Sequence, residues 1–222
     1  MEKLRALIFD VDGTLAETED IHRRSFNTAF QNAGLNWKWD RPAYAALLTT
    51  TGGKERITRY VAEQNLPHIF PAYIALLHAA KNTIYADTLA SGGLSLRPGV
   101  AQLIADARNA NLKLGVATTT SKSNLVALLQ CCFGTKSESV FDVMVCGEDV
   151  HRKKPDPEVY ASCLAKLRVR SHEAIAFEDS GVGLKAALAA GVRTVITPSI
   201  FTTKDNFSGA AEILADLAQF RL

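Results

Sequence analysis

The chain has 222 residues, a formal net charge of +2 and a hydrophobic content of 47%. A chain of this length can bury one hydrophobic core, or a core together with a small second domain. The near-neutral charge argues against a nucleic-acid partner, and no apolar span reaches the roughly 18 residues of a transmembrane helix. We therefore expect a protein that binds neither nucleic acid nor membrane.

The amino terminus and the cysteines predict a cytoplasmic protein. The first residues run directly into an apolar strand and show no signal-peptide pattern. None of the four cysteines forms a C-x-x-C pair, so we expect reduced, buried thiols. We also expect the protein to be a monomer.

Strand and helix candidates alternate over most of the chain. The strand candidates are residues 4–9, 112–117, 143–145, 174–177 and 194–196, and the accompanying helix candidates are residues 100–110, 124–131, 157–166 and 183–190. This alternation is typical of an α/β fold with a doubly wound parallel sheet, as in a Rossmann-like core. Asp156 and Ser180 are candidate helix N-caps, and Gly191 is a candidate helix terminator.

The alternation breaks after the first strand. Four helix candidates follow one another at residues 19–33, 42–48, 54–64 and 71–89, with no strand between them. A simple βα crossover is much shorter, so we expect a small helical cap domain at residues 17–94 and a core domain at residues 1–16 and 95–222. The alternative is a long crossover connection without a gating role.

Two carboxylates one residue apart, Asp10 and Asp12, end the first strand, and Gly13 and Thr14 follow them. Side chains two apart on a strand point the same way, so both acids can face the crevice at the strand ends, where α/β sheets bind ligands. Two acids this close repel each other when both are ionised, which raises their pKa values. A bound cation removes this repulsion, and so does a division of roles in which one acid is protonated. The pattern favours a metal-bound nucleophile beside a general acid/base, although an ordinary Asp-Gly turn is the alternative.

Three further polar segments follow later strands. Thr118 to Lys122 can offer hydroxyl and N–H donors to a phosphate, or simply cap a helix. Lys154 precedes Pro155. It is a candidate fixed point charge for a phosphoryl oxygen, and the alternative is an ordinary solvated lysine. Glu178 and Asp179 could complete a hard-cation site with Asp10 and the backbone carbonyl of Asp12, which fits Mg²⁺, or form an acidic helix start.

The ordered set of motifs resembles the haloacid dehalogenase superfamily of phosphotransferases; its members here are Asp10, Asp12, Thr14, Thr118, Lys154, Glu178 and Asp179. The resemblance implies a magnesium-dependent phosphoryl transfer with Mg²⁺ as cofactor. Asp10 would attack phosphorus to form an aspartyl phosphate, and Asp12 would serve as acid and then as base. Phosphoryl transfer depends on positioning and charge neutralisation, which these residue types supply.

The resemblance also implies roles for the other motif residues. Thr118 and Lys154 would hold the phosphoryl oxygens, and Asp179 would bind the metal with Glu178 close by. The implied metal set is Asp10, Asp12, Glu178 and Asp179.

The helical segment resembles the CbbY-type xylulose-1,5-bisphosphate phosphatases at residues 14–27, 35–40 and 49–57. This resemblance implies hydrolysis of xylulose-1,5-bisphosphate, a Rubisco inhibitor, to xylulose 5-phosphate, and a role beside the Calvin cycle. Glu17, which stands where related proteins have Asp, would bond sugar hydroxyls. The candidate substrate-binding residues are Glu17, His22, Thr51, Gly52, Gly53, Lys54, Arg56, Lys81, Thr119, Thr120 and Lys122.

The residues at the start of the third predicted helix are compatible with that substrate. Gly52 and Gly53 let the backbone approach a ligand, and Lys54 and Arg56 are cations that suit a second phosphate, to which Lys81 adds another. A helix start with solvated basic residues is the alternative.

Two other functions remain open on the motifs alone. A β-phosphoglucomutase uses the same aspartyl phosphate but returns the phosphoryl group to a sugar, and the helical segment matches the phosphatase better. A signalling receiver domain also phosphorylates an aspartate on a doubly wound sheet, but it needs neither the helical insertion nor a second acid at Asp12.

Overall fold

A computed structural model describes residues 3–66 and 68–222. Its strands are β1 (Ala6–Phe9), β2 (Lys113–Ala117), β3 (Val143–Val145), β4 (Ala174–Glu178), β5 (Arg193–Ile196) and β6 (Glu212–Ile213). They form a sheet in the order β3-β2-β1-β4-β5-β6, and every neighbouring pair is parallel. The predicted parallel α/β fold is therefore confirmed.

Eight α-helices accompany the sheet within the described residues. They are α1 (Glu19–Asn32), α2 (Arg41–Leu47), α3 (Gly53–Glu63), α4 (Pro71–Ala90), α5 (Val100–Asn109), α6 (Lys122–Phe133), α7 (Glu158–Leu167) and α8 (Gly181–Ala189). None of these helices is long and apolar enough to cross a membrane.

The central strand β1 is buried on both faces, which is the reason for its continuous apolar sequence. Leu7 and Phe9 belong to a cluster that includes residues of α5 and α6. Ala6 and Ile8 belong to a second cluster that includes residues of α7 and α8. Successive side chains point to opposite faces, so this single strand holds both helical layers in place.

Helices α1 to α4, which we call the helical insertion, have an apolar cluster of their own. Trp39 is fully buried there, and its ring contacts the rings of Phe26 and Phe30 at centroid distances of 4.8 and 4.9 Å. This separate cluster supports the predicted division into a cap domain at residues 17–94 and a core domain at residues 1–16 and 95–222. The division stays a proposal.

Every predicted strand and helix is present, with ends shifted by a few residues, and β6 was missed because two exposed residues carry no strand pattern. Ser180 caps α8 by accepting a bond from the Gly183 amide, and Gly191 follows that helix with φ of 76°. Asp156 accepts a bond from the Glu158 amide at 3.0 Å, but helix α7 begins one residue later than predicted. All four cysteines are free thiols, as predicted, but only Cys146 and Cys163 are buried, whereas Cys131 and Cys132 are half-buried.

Candidate active site

A cavity of about 510 Å³ lies between the carboxyl ends of the strands and the helical insertion. The sheet and its loops contribute Asp10, Asp12, Thr118, Thr119, Thr120, Lys154 and Asp179, and the insertion contributes His22, Thr51, Gly52, Gly53, Lys54, Arg56 and Lys81. The structure thus brings together most of the residues that the sequence marked. Glu17, Lys122 and Glu178 do not line the cavity.

Lys154 is the cation that contacts the core acids Asp10 and Glu178. Its Nζ donates to Oδ1 of Asp10 at 2.6 Å and to Oε1 of Glu178 at 2.7 Å, and all three side chains are buried. The hydroxyl of Tyr160 donates to the same oxygen of Glu178 at 2.7 Å. Glu178 therefore lies behind Lys154 and fixes its ammonium next to Asp10.

Asp10, Glu178 and Asp179 form a buried acidic cluster whose oxygens lie within 4.8 Å of one another. Burial raises the pKa of Asp10 to about 8, with Glu178 raising it further and Lys154 opposing the shift. Burial, together with Asp10 and Glu178, also raises the pKa of Asp179. When all three carboxylates are ionised, the single ammonium of Lys154 leaves two negative charges, which one divalent cation would balance.

The loop after β1 leaves space for this cluster. Gly13 has φ of 84°, and a side chain there would collide with the carboxylate of Asp179. A residue other than glycine would thus be strained and would also displace an acid of the cluster.

Asp12 is held by residues of the helical insertion and its entry segment. Thr18 Oγ1 donates to Oδ1 of Asp12 at 2.6 Å, and Nε2 of His22 lies 2.9 Å from the same oxygen. Nζ of Lys81 lies 2.6 Å from Nδ1 of His22, whose ring stacks on Tyr85 at 4.1 Å. Because the ionised carboxylate of Asp12 can only accept, Nε2 of His22 carries a proton that faces Asp12.

The electrostatics of this chain keep Asp12 ionised. Burial favours a raised pKa, but the charge of His22 and hydrogen bonds from His22 and Thr18 outweigh it, so the pKa of Asp12 lies well below its usual range. Burial lowers the pKa of Lys81 to about 7, although the carboxylate of Asp12 opposes this. Burial and Lys81 lower the pKa of His22, whereas Asp12 opposes this shift.

The residues of the hydroxyl-rich segment after β2 make different contacts. Thr118 and its two neighbours line the cavity, and the Thr120 amide donates to Thr118 Oγ1 at 3.1 Å. Ser121 instead caps α6 by accepting from the Asn124 amide. Lys122 does not line the cavity, and its backbone amide donates to Glu148 at 3.1 Å.

The start of α3 contributes Gly52, Gly53 and Lys54 to the cavity lining. Gly52 stands at the N-cap without a side-chain cap bond, so the first amides of α3 have no capping side chain. Arg56 is 8% exposed, and its NH1 donates to the hydroxyl of Tyr44 at 2.8 Å. The room left by Gly53 is taken by the His78 ring, and that left by Gly52 by Glu55 and Lys153.

Several contacts join the helical insertion to the core around the cavity. Thr51 Oγ1 donates to the carbonyl of Lys154 at 2.5 Å, and Lys153 pairs with Glu55 at 2.6 Å. Asn82 of α4 donates to Ser121 Oγ at 3.2 Å. The insertion is thus seated on the core in this structure.

Glu17, which does not line the cavity, pairs with Arg97 at 3.5 Å. Arg97 also donates to the carbonyls of Gly13, Thr197 and Pro198. Arg97 therefore ties the loop after β1 to the loop after β5, next to the two chain segments that enter and leave the insertion.

Sequence reasoning missed the supporting residues. Thr18, Tyr160, Arg97 and His78 are each brought to the site by tertiary packing, and none stands in a pattern that distinguishes it from a surface or core residue. The binding roles that the sequence predicts for individual residues stay predictions.

Comparison with known proteins identifies the family. The chain matches the family model described as haloacid dehalogenase-like hydrolase over residues 7–197. It is 46% identical over 216 residues to Protein CbbY of Cereibacter sphaeroides, which covers 97% of this chain and 94% of that protein. The chain belongs to the haloacid dehalogenase-like hydrolases. It is also 36% identical over 213 residues to a CBBY-like protein of Arabidopsis thaliana, covering 92% of this chain and 66% of that protein.

Solved structures agree with this assignment. The structure of the CbbY mutant D10N from Rhodobacter sphaeroides in complex with xylulose-(1,5)bisphosphate matches this hydrolase with a TM-score of 0.93 and 46% identity, covering 97% of this chain and 96% of that chain. A β-phosphoglucomutase from Clostridium difficile matches with a TM-score of 0.83 and 20% identity, covering 99% of this chain and 94% of that one, and shows the fold alone. The predicted fold class and the prediction of a phosphatase enzyme are confirmed.

Proposed function

We propose that this hydrolase removes one phosphate from a sugar bisphosphate, and that the substrate is xylulose-1,5-bisphosphate and the product xylulose 5-phosphate. The observation that carries the proposal is the distribution of polar groups in the cavity. Asp10 and Lys154 come from the core, whereas Lys54, Arg56 and Lys81 come from the helical insertion. This arrangement fits a ligand with two phosphates, one bound by the core residues and the other by the residues of the helical insertion. The xylulose-(1,5)bisphosphate bound by the related CbbY supports the choice of sugar.

The acidic cluster fits a magnesium ion. Carboxylate oxygens of Asp10, Asp179 and Glu178 lie close enough to share one ion. When ionised, they carry two negative charges beyond the one that Lys154 compensates, and Mg²⁺ would balance these. Oε1 of Glu178 already accepts bonds from both Lys154 and Tyr160, so Asp10 and Asp179 are the main candidate ligands of the ion. The metal would neutralise charge on the transferring phosphoryl group.

Asp10 is the nucleophile of the proposed reaction. A carboxylate oxygen of Asp10 attacks phosphorus, the bond from phosphorus to the sugar oxygen breaks, and an aspartyl phosphate forms. Lys154 donates to phosphoryl oxygens from its position 2.6 Å from Asp10, and Thr118 lines the same part of the cavity. These groups are held by the fold before the substrate arrives, so they need not reorganise during the transfer.

Asp12 moves the protons. Asp12 is ionised in the free protein, so it first takes up a proton from solvent, and in the first step it gives that proton to the departing sugar oxygen. In the second it takes a proton from a water that attacks phosphorus, the bond to Asp10 breaks, and inorganic phosphate leaves. The bonds from Thr18 and His22 fix the carboxylate of Asp12 two residues from the nucleophile.

The helical insertion acts as a cap in this proposal. Thr51, Glu55 and Asn82 contact the core around the cavity, so substrate entry requires these contacts to open. Binding of the second phosphate by the insertion would favour the seated arrangement and align the reacting phosphate.

A substrate panel tests the proposal. Released phosphate is measured with Mg²⁺ for xylulose-1,5-bisphosphate, xylulose 5-phosphate, β-glucose 1-phosphate and a small aromatic phosphate ester. We expect the highest kcat/KM for the bisphosphate. Conversion of β-glucose 1-phosphate to glucose 6-phosphate without phosphate release would instead identify a mutase, and the absence of any turnover would fit a receiver domain.

A further inference from the structure

One polar side chain of the cavity has no partner and no part in the reaction described above. The imidazole of His78, on helix α4, lines the cavity and is half-buried. Within residues 3–66 and 68–222, no side chain or backbone group forms a hydrogen bond or ion pair with this ring. A polar ring in this position is available to a ligand.

The position of the ring is set by the start of helix α3. The Nε2 and Cδ2 atoms of His78 lie where a side chain at Gly53 would be, and the ring of Phe26 lies on another side of that space. A side chain at residue 53 would collide with this ring, so only glycine leaves room for it. His78 is thereby held against the uncapped first turn of α3.

The charged groups around His78 come from four different elements. They are Lys81 on the same helix, Lys54 at the start of α3, Lys153 on the loop before α7, and the ring of His22 on α1. Glu55, the acid beside them, is paired with Lys153. The surroundings of the ring therefore attract an anion.

We propose that His78 is a specificity-determining residue that donates a hydrogen bond from Nε2–H to the distal phosphate of the bisphosphate. The inference rests on the proposed function and adds a residue to its second phosphate site. His78 supplies a neutral donor, while Lys54, Lys81 and Arg56 supply the charge.

The neutral form of the ring follows from its surroundings. Burial lowers the pKa of His78 to about 3, and Lys81, Lys54 and Lys153 lower it in the same direction. A neutral imidazole has one N–H donor, and the edge that carries Nε2 faces the start of α3.

Binding measurements in an inactive background test the inference. Titration calorimetry is carried out with xylulose-1,5-bisphosphate on Asp10→Asn, alone and combined with His78→Ala, His78→Gln or His78→Asn. Gln places an amide N–H near the position of Nε2, whereas Asn is too short to reach it. We expect Kd to rise about 10- to 100-fold for Ala and Asn, the range for a lost hydrogen bond to a charged group, and to return to within about threefold for Gln.

Control variants make the result specific. His68→Ala removes an exposed histidine of the insertion that lies outside the cavity, and it should leave Kd unchanged. Thermal melts check that each variant is folded, and His78→Asn replaces His78→Ala if the latter fails to fold. Unchanged Kd in His78→Ala or His78→Asn, or failure of Gln to restore binding, overturns the inference.

The same titrations separate the two proposals. If Asp10→Asn binds the bisphosphate no more tightly than xylulose 5-phosphate, the proposed function fails and this inference with it. If the bisphosphate is preferred and the His78 variants keep that preference, the inference about His78 alone is wrong.

Discussion

The substitution Lys154→Met tests the buried ion pairs at the centre of the site. Met keeps the apolar stem and removes the ammonium that contacts Asp10 at 2.6 Å and Glu178 at 2.7 Å. Removing one partner of a buried ion pair costs about 3–5 kcal/mol, because a desolvated charge is left without compensation. For a chain of this size, this corresponds to a fall in Tm of about 6–20 °C.

The assay is thermal and urea unfolding at neutral pH in EDTA, with Lys153→Met as the matched control. The neighbouring ammonium of Lys153 pairs with Glu55, whose side chain is 45% exposed. An exposed pair contributes about 1 kcal/mol or less, so the control should lose little stability. In addition, Lys154→Met should lower kcat by about 10²- to 10³-fold, as expected for loss of a preorganised charge on the transferring group. Equal stability of the two variants would refute the account of Lys154.

Four further predictions address the chemistry and the cap. Asp10→Asn should retain less than a few per cent of turnover with an unchanged circular-dichroism spectrum, because an amide cannot attack phosphorus; higher retention would remove Asp10 as the nucleophile. Asp12→Asn should slow phosphoenzyme breakdown in rapid-quench experiments, and normal breakdown would make Asp12 structural. Lys54→Ala should lower the ratio of bisphosphate turnover to small-ester turnover, whereas a parallel fall would place Lys54 in support of the fold. In EDTA, the Tm of the wild type relative to that of Asp10→Asn should fall as the pH rises from about 4 to about 8. With its pKa raised from 3.8 to about 8, Asp10 keeps in the folded state a proton that the unfolded chain loses over this range, and Mg²⁺ should weaken the dependence.

The order of strands and helices could be predicted because local signals agree with the fold. Ser180 has the side chain of a helix cap, Gly191 has the backbone freedom of a helix end, and both hold these positions in the structure. The apolar runs of the strands reflect burial on both faces. Strand β6 escaped prediction because its two residues are exposed and only pair along the edge of β5.

The site was predictable where its residues follow strands directly. Asp10, Thr118 and Asp179 lie at the ends of β1, β2 and β4, and parallel strands bring their ends to one edge of the sheet. Glu178 also ends β4, but its contact with Tyr160 depends on how α7 packs, which no local pattern specifies.

The contacts of site residues in and next to the helical insertion depend on how the insertion packs on the core, and sequence spacing does not reveal this packing. His22 was predicted to bind substrate, and the structure adds that its ring bridges Asp12 and Lys81. Glu17 was predicted to bind sugar hydroxyls, yet its partner in this structure is Arg97. The sequence separation between these partners is too large for periodicity to reveal them.

The central claim is that this hydrolase recognises two phosphates and removes one. The most direct measurement is the phosphate released from xylulose-1,5-bisphosphate with Mg²⁺, followed to completion and compared in rate with xylulose 5-phosphate. The account predicts one phosphate per bisphosphate, xylulose 5-phosphate as the product, and a kcat/KM at least about 100-fold above that of the monophosphate. Equal rates for the two compounds, or release of both phosphates in one continuous phase, would contradict it.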